Sequence, residues 1–408
     1  MKILLKLAWR NVLRNKRRTV LSGLAVGITL ASLIFVDGIY IGMLQSMLRT
    51  STDSFLGQGQ IHAAGFRDTL EVEKTIHNSQ EVMKSLASEK ILAGFSERTL
   101  STAMLSSAAG MNSVLLYGIE PETERGMSVI DEAITEGDYL APEGPGQILI
   151  GSKTAETLEV ETGDRLVITL AQADTGELAQ DMFRVGGIFH MGIREMDSGM
   201  AFIHIKKSRE LLALGQRSHE IALKFHNIND AGNRALPFWV KYSQSGNEAL
   251  GWRNLIPQLD GVIELAGIST AITSSLVFCI VAVIIIHTLF MSLHERMFEF
   301  GVLRAVGTRP VNMSLMIFFE ASSLSLISIL FGLGLGFLVM YIFSVYGINY
   351  RGIEFAGVTI MELIYPVQTL RQFTLFPALI FVFSLIAAAY PAVFAAKLTP
   401  AKAMQRSM

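Results

Sequence analysis

Four long apolar stretches dominate the pattern of hydrophobic and polar positions along the chain. They cover residues 20–48, 268–293, 313–346 and 373–396. Each is longer than the ~20 residues with which a helix crosses the hydrocarbon core of a bilayer. The first is too long for the apolar core of a signal peptide, and no convincing cleavage site follows it. The pattern therefore predicts a membrane protein with four transmembrane helices, the first of them uncleaved.

The region between the first two stretches, residues 49–267, has a different pattern. Short segments alternate apolar and polar side chains as half-buried strands do, and helical patterns lie between them. The predicted strands are residues 60–64, 99–105, 113–119, 147–150, 165–170, 183–189, 200–205 and 220–225, and the predicted helices are residues 79–92, 153–158 and 207–214. This mixed order favours a large α+β domain over a doubly wound parallel sheet.

Positive charges are concentrated in residues 1–19, 294–312 and 397–408, whereas the loop at residues 347–372 contains only two arginines. The positive-inside rule therefore places both termini in the cytoplasm and residues 49–267 outside it. Residues 1–19 also read as an amphipathic basic helix that lies in the membrane interface and contacts lipid headgroups. Its polar residues include Arg10, Asn11, Arg14, Arg17 and Arg18.

Composition and motifs exclude several function classes. A net charge of −2 offers no basic field for nucleic acid. The chain lacks the Gly-Lys-Ser/Thr phosphate loop of an ATPase, and Phe298 stands where a zinc peptidase motif beginning at His294 needs its second histidine. The single cysteine, Cys279, cannot form an internal disulfide. We predict no catalytic, metal or cofactor-binding residue in this chain.

The segment after the second apolar stretch, residues 294–309, combines charges of alternating sign with apolar side chains. Such a helix can insert its apolar side chains into a partner's groove while its charges fix the orientation. Taken alone, the pattern is more typical of a positive-inside connector that is capped at Gly307.

Three motifs resemble those of the MacB/FtsX superfamily of ABC transporter permeases. Residues 295–307 (ERMFEFGVLRAVG) are similar to its E-R-x-x-E-I-G-x-L-R-A-x-G signature, residues 10–19 to its R-N-x-x-R-x-x-R-R-T entry, and residues 391–404 to its P-A-x-x-A-A-R-x-x-P-x-x-A-L ending. The departures are Phe300, Lys397 and Met404, together with His287 where relatives carry a small polar residue.

The resemblance implies a fold, partners and coupling residues. It implies a MacB-like periplasmic core domain and a location in the inner membrane. It also implies two partners: a dimer of separate ABC ATPase subunits, which holds ATP and Mg, and a second permease that is identical or homologous. The segment at residues 294–312 would be the coupling helix that docks into the ATPase. The residues that match the coupling motif are Glu295, Arg296, Phe298, Glu299, Phe300, Gly301, Leu303, Arg304, Ala305 and Gly307.

The outer region is most similar to the lipoprotein-releasing permeases LolC and LolE. The similar stretches are residues 150–164, 183–189, 195–197 and 251–253. This branch implies release of lipoproteins to a periplasmic carrier or adaptor. MacB-like export of peptides or small molecules and FtsX-like signalling to a periplasmic partner stay open as alternatives.

The last candidate functional residues are small and ionisable residues within the apolar stretches. Glycines spaced four apart let helices approach closely, either within the chain or against a second permease. These glycines are Gly23, Gly27, Gly38, Gly42, Gly332 and Gly336. Asp37 and Glu320 are costly in a membrane unless they are paired or wetted. We expect Glu320 to pair with Arg309 or the basic helix, and leave a structural pair or a substrate contact open for Asp37.

Overall fold

The computed structural model describes residues 10, 14, 16–142, 144, 146–355, 358–359 and 362–397. The chain divides into two compact units. The helical unit comprises Met1–Gln45, Ile263–Tyr350 and Glu362–Met408, and the sheet unit comprises Ser46–Val262 and Arg351–Met361. The fold class predicted from the sequence, four membrane helices with an α+β domain, is confirmed.

Four helices among the described residues are long and apolar enough to cross a membrane. They are α1 (Lys16–Ser51), α11 (Pro257–Glu295), α13 (Pro310–Tyr346) and α14 (Leu370–Lys397). All four extend beyond their apolar stretches, and α11 begins eleven residues before position 268. Helical hydrogen bonds do not require apolar side chains, and Pro257 suits a first turn, where its missing N–H is not needed. Residues 257–267 therefore belong to the same helix as the second span.

The sheet unit contains the elements between α1 and α11 and two short strands from the later loop. They are a π-turn (Thr52–Leu56), β1 (Gly59–Ala63), α2 (Phe66–Thr69), α3 (Ser79–Leu86), β2 (Leu92–Ser106), β3 (Met111–Ile119), α4 (Pro121–Glu124), β4 (Ile134–Gly137), β5 (Gln147–Gly151), α5 (Ser152–Leu158), β6 (Arg165–Ala171), β7 (Leu178–Phe189), α6 (Arg194–Gly199), β8 (Met200–His204), α7 (Ile205–Leu211), β9 (Glu220–Phe225), α8 (Ile228–Ala231), α9 (Pro237–Tyr242), β10 (Asn247–Gly251) and α10 (Trp252–Leu255), with β11 (Glu354–Phe355) and β12 (Val358–Thr359) from the later loop.

Pairing among these strands closes part of the sheet into a ring. The order β2-β3-β8-β5-β7-β6 returns to β2, with β3–β8 and β5–β7 parallel and the other pairs antiparallel. Side chains inside the ring form a fully buried core that includes Leu105, Leu116, Ile150, Ile168 and Ile203. The other edge of β2 pairs with β9, which continues the sheet through β1 to β10.

Several elements differ from the predictions, among them two strands and one helix boundary. β4 and β10 were not predicted; they are the terminal strands of the sheet order, so each pairs along one edge only, and β4 is also largely exposed. The helix expected at residues 79–92 ends at Leu86, because Leu92 instead begins β2 and pairs with Phe225 of β9.

The segment that follows α1 is fixed in the core of the sheet unit by Phe55. Its ring packs edge-on against Tyr117 and Phe202, with centroids 4.5 and 4.8 Å apart. The Arg98 guanidinium lies 3.8 Å above the ring and pairs with the buried carboxylates of Glu124 (2.6 Å) and Glu220 (2.8 Å). Burial raises the pKa of Glu220, and Arg98 opposes that rise.

Candidate coupling surface

The helix α12 (Met297–Ala305) lies between the second and third membrane helices. A break at Arg296, whose backbone leaves the helical region (φ −113°, ψ 17°), separates it from α11. At its other end Gly307 adopts φ +96°, its N–H donates to the Arg304 carbonyl, and the Thr308 N–H donates to the Leu303 carbonyl. This is a Schellman arrangement, for which glycine is suited. Pro310 then begins α13.

One face of α12 is buried against the membrane helices. Met297 and Phe300 belong to the core of the helical unit, and Gly301 is buried beside them. The Arg296 guanidinium lies 5.3 Å from the centroid of the Phe300 ring. Phe300 thus anchors α12 within its own chain, and its side chain is not free to enter a partner's groove.

A buried carboxylate, Glu320 of α13, joins three elements at this face. Its Oε2 lies 3.3 Å from Nη1 of Arg296, and its Oε1 lies 3.7 Å from Nη2 of Arg18. The Ser292 hydroxyl of α11 donates to Oε1. Glu320 is 3% exposed, so these contacts replace the water that a carboxylate otherwise needs. Its ion-pair partners are therefore Arg18 and Arg296, and not Arg309.

A second, more exposed layer of ion pairs joins Arg14 and the first turn of α1 to the end of α11 and to α12. Arg14 Nη1 lies 2.8 Å from Glu299 Oε1, and Arg18 Nη1 lies 2.8 Å from Glu295 Oε2. Arg296 Nε also lies 2.9 Å from Glu299. Burial opposes ionisation of Glu299, but hydrogen bonds from Arg296 and Arg14 outweigh it and hold its pKa below the usual value.

The opposite face of α12 is apolar and exposed. Phe298, Val302 and Val306 recur every four residues and are 52%, 40% and 82% exposed. Side chains at this spacing share one face of a helix. Leu303 and Ala305 are also exposed. A short helix that is fixed on one side and apolar on the other offers a docking ridge, which we call the coupling ridge (Phe298, Val302 and Val306).

The predicted coupling residues thus divide into two groups. Arg296, Phe300 and Gly301 face the helical unit, whereas Phe298, Leu303, Ala305 and Gly307 face outwards. The coupling residues predicted from the sequence did not include Val302 or Val306 of the exposed face. They also did not include Ser292 or Glu320, which meet at the buried face. The spacing of four signals the valines, but nothing local indicates that Ser292 and Glu320 meet.

The predicted basic helix lies only partly within the described residues. Residues 1–9, 11–13 and 15, which include Asn11, fall outside the described residues. Arg10 and Arg17 are exposed, and from Lys16 onward the segment is the first turn of α1 rather than a separate helix.

The glycine pairs lie at close contacts within the chain. A Cβ on Gly332 would lie 2.7 Å from the carbonyl oxygen of Gly27, and one on Gly27 would lie 2.6 Å from the Phe331 ring. Gly23 faces Ser328 and Gly336 faces Ile34, so this contact joins α1 and α13 along several turns. Gly38 and Gly42 meet the loop before α14, where the Val367 N–H donates to the Gly38 carbonyl.

Asp37 is partly satisfied within the helical unit. The buried Gln372 side chain donates to its Oδ2 over 2.8 Å. Asp37 also lines a cavity of about 660 Å³ between α1, α11 and α14, whose walls include Ile41, Phe278 and Leu379. This volume lies in the range of ~300–1,000 Å³ that is usual for ligand sites.

Comparison with known families decides the identity of the chain. Residues 19–232 match the MacB-like periplasmic core domain, and residues 271–400 match the FtsX-like permease C-terminal family. The chain belongs to the MacB/FtsX family of ABC transporter permeases. The second match contains α12 and α13, so the coupling ridge and Glu320 lie in a permease domain.

Individual relatives of this permease share modest identity with it. The lipoprotein-releasing system transmembrane protein LolC of Xylella fastidiosa is 23% identical over 343 residues, which are 81% of this chain and 82% of that protein. LolE of Haemophilus influenzae is 22% identical over 240 residues, 58% of this chain and 57% of that protein. The periplasmic region of MacB from Actinobacillus actinomycetemcomitans is 11% identical, covers 51% of this chain and 94% of that one, and has a TM-score of 0.36.

Proposed function

We propose that this permease couples ATP hydrolysis by a separate ABC ATPase dimer to movement of its sheet unit, and that this movement releases lipoproteins from the inner membrane to a periplasmic carrier. In this arrangement both termini and α12 lie in the cytoplasm, and the sheet unit lies in the periplasm. ATP and Mg bind to the ATPase. The names of the LolC and LolE relatives support the cargo.

The observation that carries the proposal is the two-faced α12. Its inner face is held by Phe300 and by the Glu320 contacts, which reach α1, α11 and α13. A force applied to the coupling ridge is therefore passed to three membrane helices at once. The apolar ridge suits a groove on a partner, since each valine that becomes fully buried contributes on the order of 1–2 kcal/mol.

The connection between the two units also supports the proposal. The unit boundary falls within α1, at Gln45 and Ser46, and within α11, at Val262 and Ile263. At these two of its crossings between the units the chain is helical. A helix transmits displacement along its axis because its hydrogen-bonded turns resist compression.

A second permease is supported by His287. This residue lies about two turns before the end of α11, within its apolar stretch, and is exposed in the single chain. Ionisable residues in membrane spans almost always face other protein or a wet cavity. We propose that a second permease, identical or homologous, covers His287.

The coupling ridge can be tested by its effect on the ATPase. The full chain is co-expressed with the ABC ATPase that co-purifies with it, and the double variant Val302→Ser/Val306→Ser is compared with Val240→Ser. Val240 is an exposed valine of α9 and is the matched control. We expect the double variant to weaken ATPase binding on the order of tenfold or more, and the control to leave it unchanged. Equal ATPase binding by all three proteins would refute the docking role of the ridge.

The cargo is tested separately by depletion of the chain in cells. Retention of lipoproteins in the inner membrane is the expected outcome. Normal lipoprotein sorting with loss of peptide or small-molecule export would favour a MacB-like exporter. Normal sorting with altered activity of a periplasmic hydrolase would favour an FtsX-like regulator.

A further inference from the structure

A cavity of about 370 Å³ lies within the sheet unit, apart from the coupling surface. Its walls are formed largely by apolar side chains, among them Phe55, Phe66, Leu100, Ile193 and Met196. Phe55, Phe66, Leu100 and Met196 are buried, while Ile193 is half-buried at the mouth. The volume is near the lower end of the range of ~300–1,000 Å³ for small-molecule sites, which suits one narrow chain rather than a whole diacyl lipid.

The polar residues that line this cavity are Ser51, Ser54, Gln60, Arg67, Tyr117, Glu195 and Glu220. Tyr117 contributes a phenol, and burial together with nearby Glu220 raises its pKa, so it remains a hydrogen-bond donor at neutral pH. Arg67 donates from Nη1 to Gln60 over 2.6 Å and from Nη2 to the Leu255 carbonyl. A guanidinium has five N–H donors, so Arg67 retains others for a ligand. The cavity thus combines apolar walls with donors for a carbonyl or carboxyl group.

The chain connects this cavity directly to two membrane helices. Ser51, the last residue of α1, lines it, and so does Ile256, which immediately precedes α11. Leu56, at the end of the π-turn after α1, also lines it. The lining of the cavity thus includes the residues that follow α1 and precede α11 in the sequence.

We propose that this cavity binds a single acyl chain together with its carbonyl or carboxyl group. The hydrocarbon packs against the apolar walls, where Met196 adapts to its shape. The oxygen accepts hydrogen bonds from Tyr117 and Arg67. The acyl chain comes from a membrane lipid or from a lipid-modified protein. The inference deepens the proposed function, and rests on it only for the second of these sources.

The test uses the full chain in lipid nanodiscs without any ATPase, exposed to a fatty acid that carries a photoactivatable diazirine. Labelled peptides are identified by mass spectrometry. We expect label on peptides that line the cavity. Met196→Trp fills the cavity and should lower this label about tenfold, which corresponds to ~1.4 kcal/mol of binding free energy. Met182→Trp, on an exposed position of β7, is the matched control and should leave the label unchanged.

A second variant keeps the test valid if Met196→Trp does not fold. Leu70 lines the mouth and has φ +52°, a conformation that asparagine adopts more readily than leucine. Leu70→Asn should therefore preserve the fold, make the mouth polar and lower the label. Label confined to the membrane helices, or cavity label that neither variant lowers, overturns the proposal.

Competition distinguishes the two sources of the chain. Displacement by an unlabelled acylated peptide but not by phospholipid assigns the site to a lipid-modified protein, and the reverse assigns it to a membrane lipid. Acyl binding with normal lipoprotein sorting after depletion would sink the proposed cargo and leave the cavity assignment intact. Lipoprotein retention without cavity label would do the opposite.

Discussion

Glu320 is a buried charge with partners on both sides. Arg18 and Arg296 approach its two oxygens, and Ser292 adds a hydrogen bond. Removing one member of such a group leaves the others buried without compensation, which costs more than the intact group contributes. The carboxylate therefore specifies how α1, α11 and α13 meet rather than simply stabilising the unit.

The first prediction concerns Glu320→Gln. It leaves two arginines facing a neutral group, so we expect a loss of about 3 kcal/mol in the free energy of unfolding. Thermal unfolding of the solubilised chain measures it. Glu264→Gln, an exposed position of α11, is the control and should be neutral. Adding Arg296→Gln should recover part of the loss, and equal stability of all these proteins would show that Glu320 is not a structural pair.

A second prediction concerns the pH dependence of the sheet unit. His62 and His219 are buried, and burial lowers the pKa of each to about 4. In the unfolded chain these two histidines bind protons below about pH 6.5, whereas in the folded chain they bind protons only near pH 4. The free energy of unfolding therefore falls as the pH falls through this window, by about 3 kcal/mol for each histidine.

Neither ring nitrogen of His62 has a hydrogen-bond partner within the described part of the chain. His62→Leu should therefore remove the contribution of His62 to the pH dependence. The free energy of unfolding should then change with pH roughly half as steeply between pH 6.5 and 4. Thermal unfolding of the full chain at a series of pH values measures the slope. His226→Leu, at an exposed position, should leave it unchanged. A slope that His62→Leu does not alter would contradict the assignment.

At the scale of elements, the contact between α1 and α13 depends on glycine. The Cα atoms and carbonyl of Gly27 occupy the space in which a side chain on Gly332 would lie. Membrane helices gain little from the hydrophobic effect between them, so this close van der Waals contact is their main attraction. One extra methyl group forces the helices apart along the whole interface.

The third prediction compares two glycines of α13 that are two residues apart. Gly332→Ala should destabilise the helical unit by about 1–3 kcal/mol, because the new Cβ overlaps Gly27. Gly334→Ala meets nothing within 4 Å and should be neutral or slightly stabilising through helix propensity. Thermal unfolding in the same detergent compares them. Identical behaviour of the two variants would place the close contact elsewhere.

At the scale of the whole molecule, two of the boundaries between the units fall within helices, at α1 and α11. The Phe55 contacts then fix the segment after α1 in the core of the sheet unit. Force transmission under the proposed function depends on the continuity of these helices. A hinge at the boundary would leave both units folded and disconnect their movements.

The fourth prediction introduces that hinge. Two glycines inserted between Gln45 and Ser46 weaken the helix, since each glycine costs about 1 kcal/mol relative to alanine. We expect ATP hydrolysis to continue while lipoprotein release is lost. The same insertion between Thr175 and Gly176, in an exposed turn, should preserve both activities. Full release with the boundary insertion would argue against transmission through α1.

Local pattern was sufficient for much of this molecule. Four spans, an α+β domain and a short helix near residues 297–305 follow from hydrophobic periodicity and from the glycine at position 307. The edge strand β10 was missed because its residues gain their order from pairing with β1, which lies far away in sequence. Similarly, the sequence could not distinguish the exposed face of α12 from its buried face, because each face contains a phenylalanine.

The sequence by itself determined the long helices and most of the strands, because these depend on side chains a few residues apart. Only the tertiary structure decided which of them meet. Glu320 and Arg18 are far apart in the chain, and so are Gly27 and Gly332 and the residues around the acyl cavity. Their meeting depends on packing and desolvation over the whole unit, which no local pattern encodes.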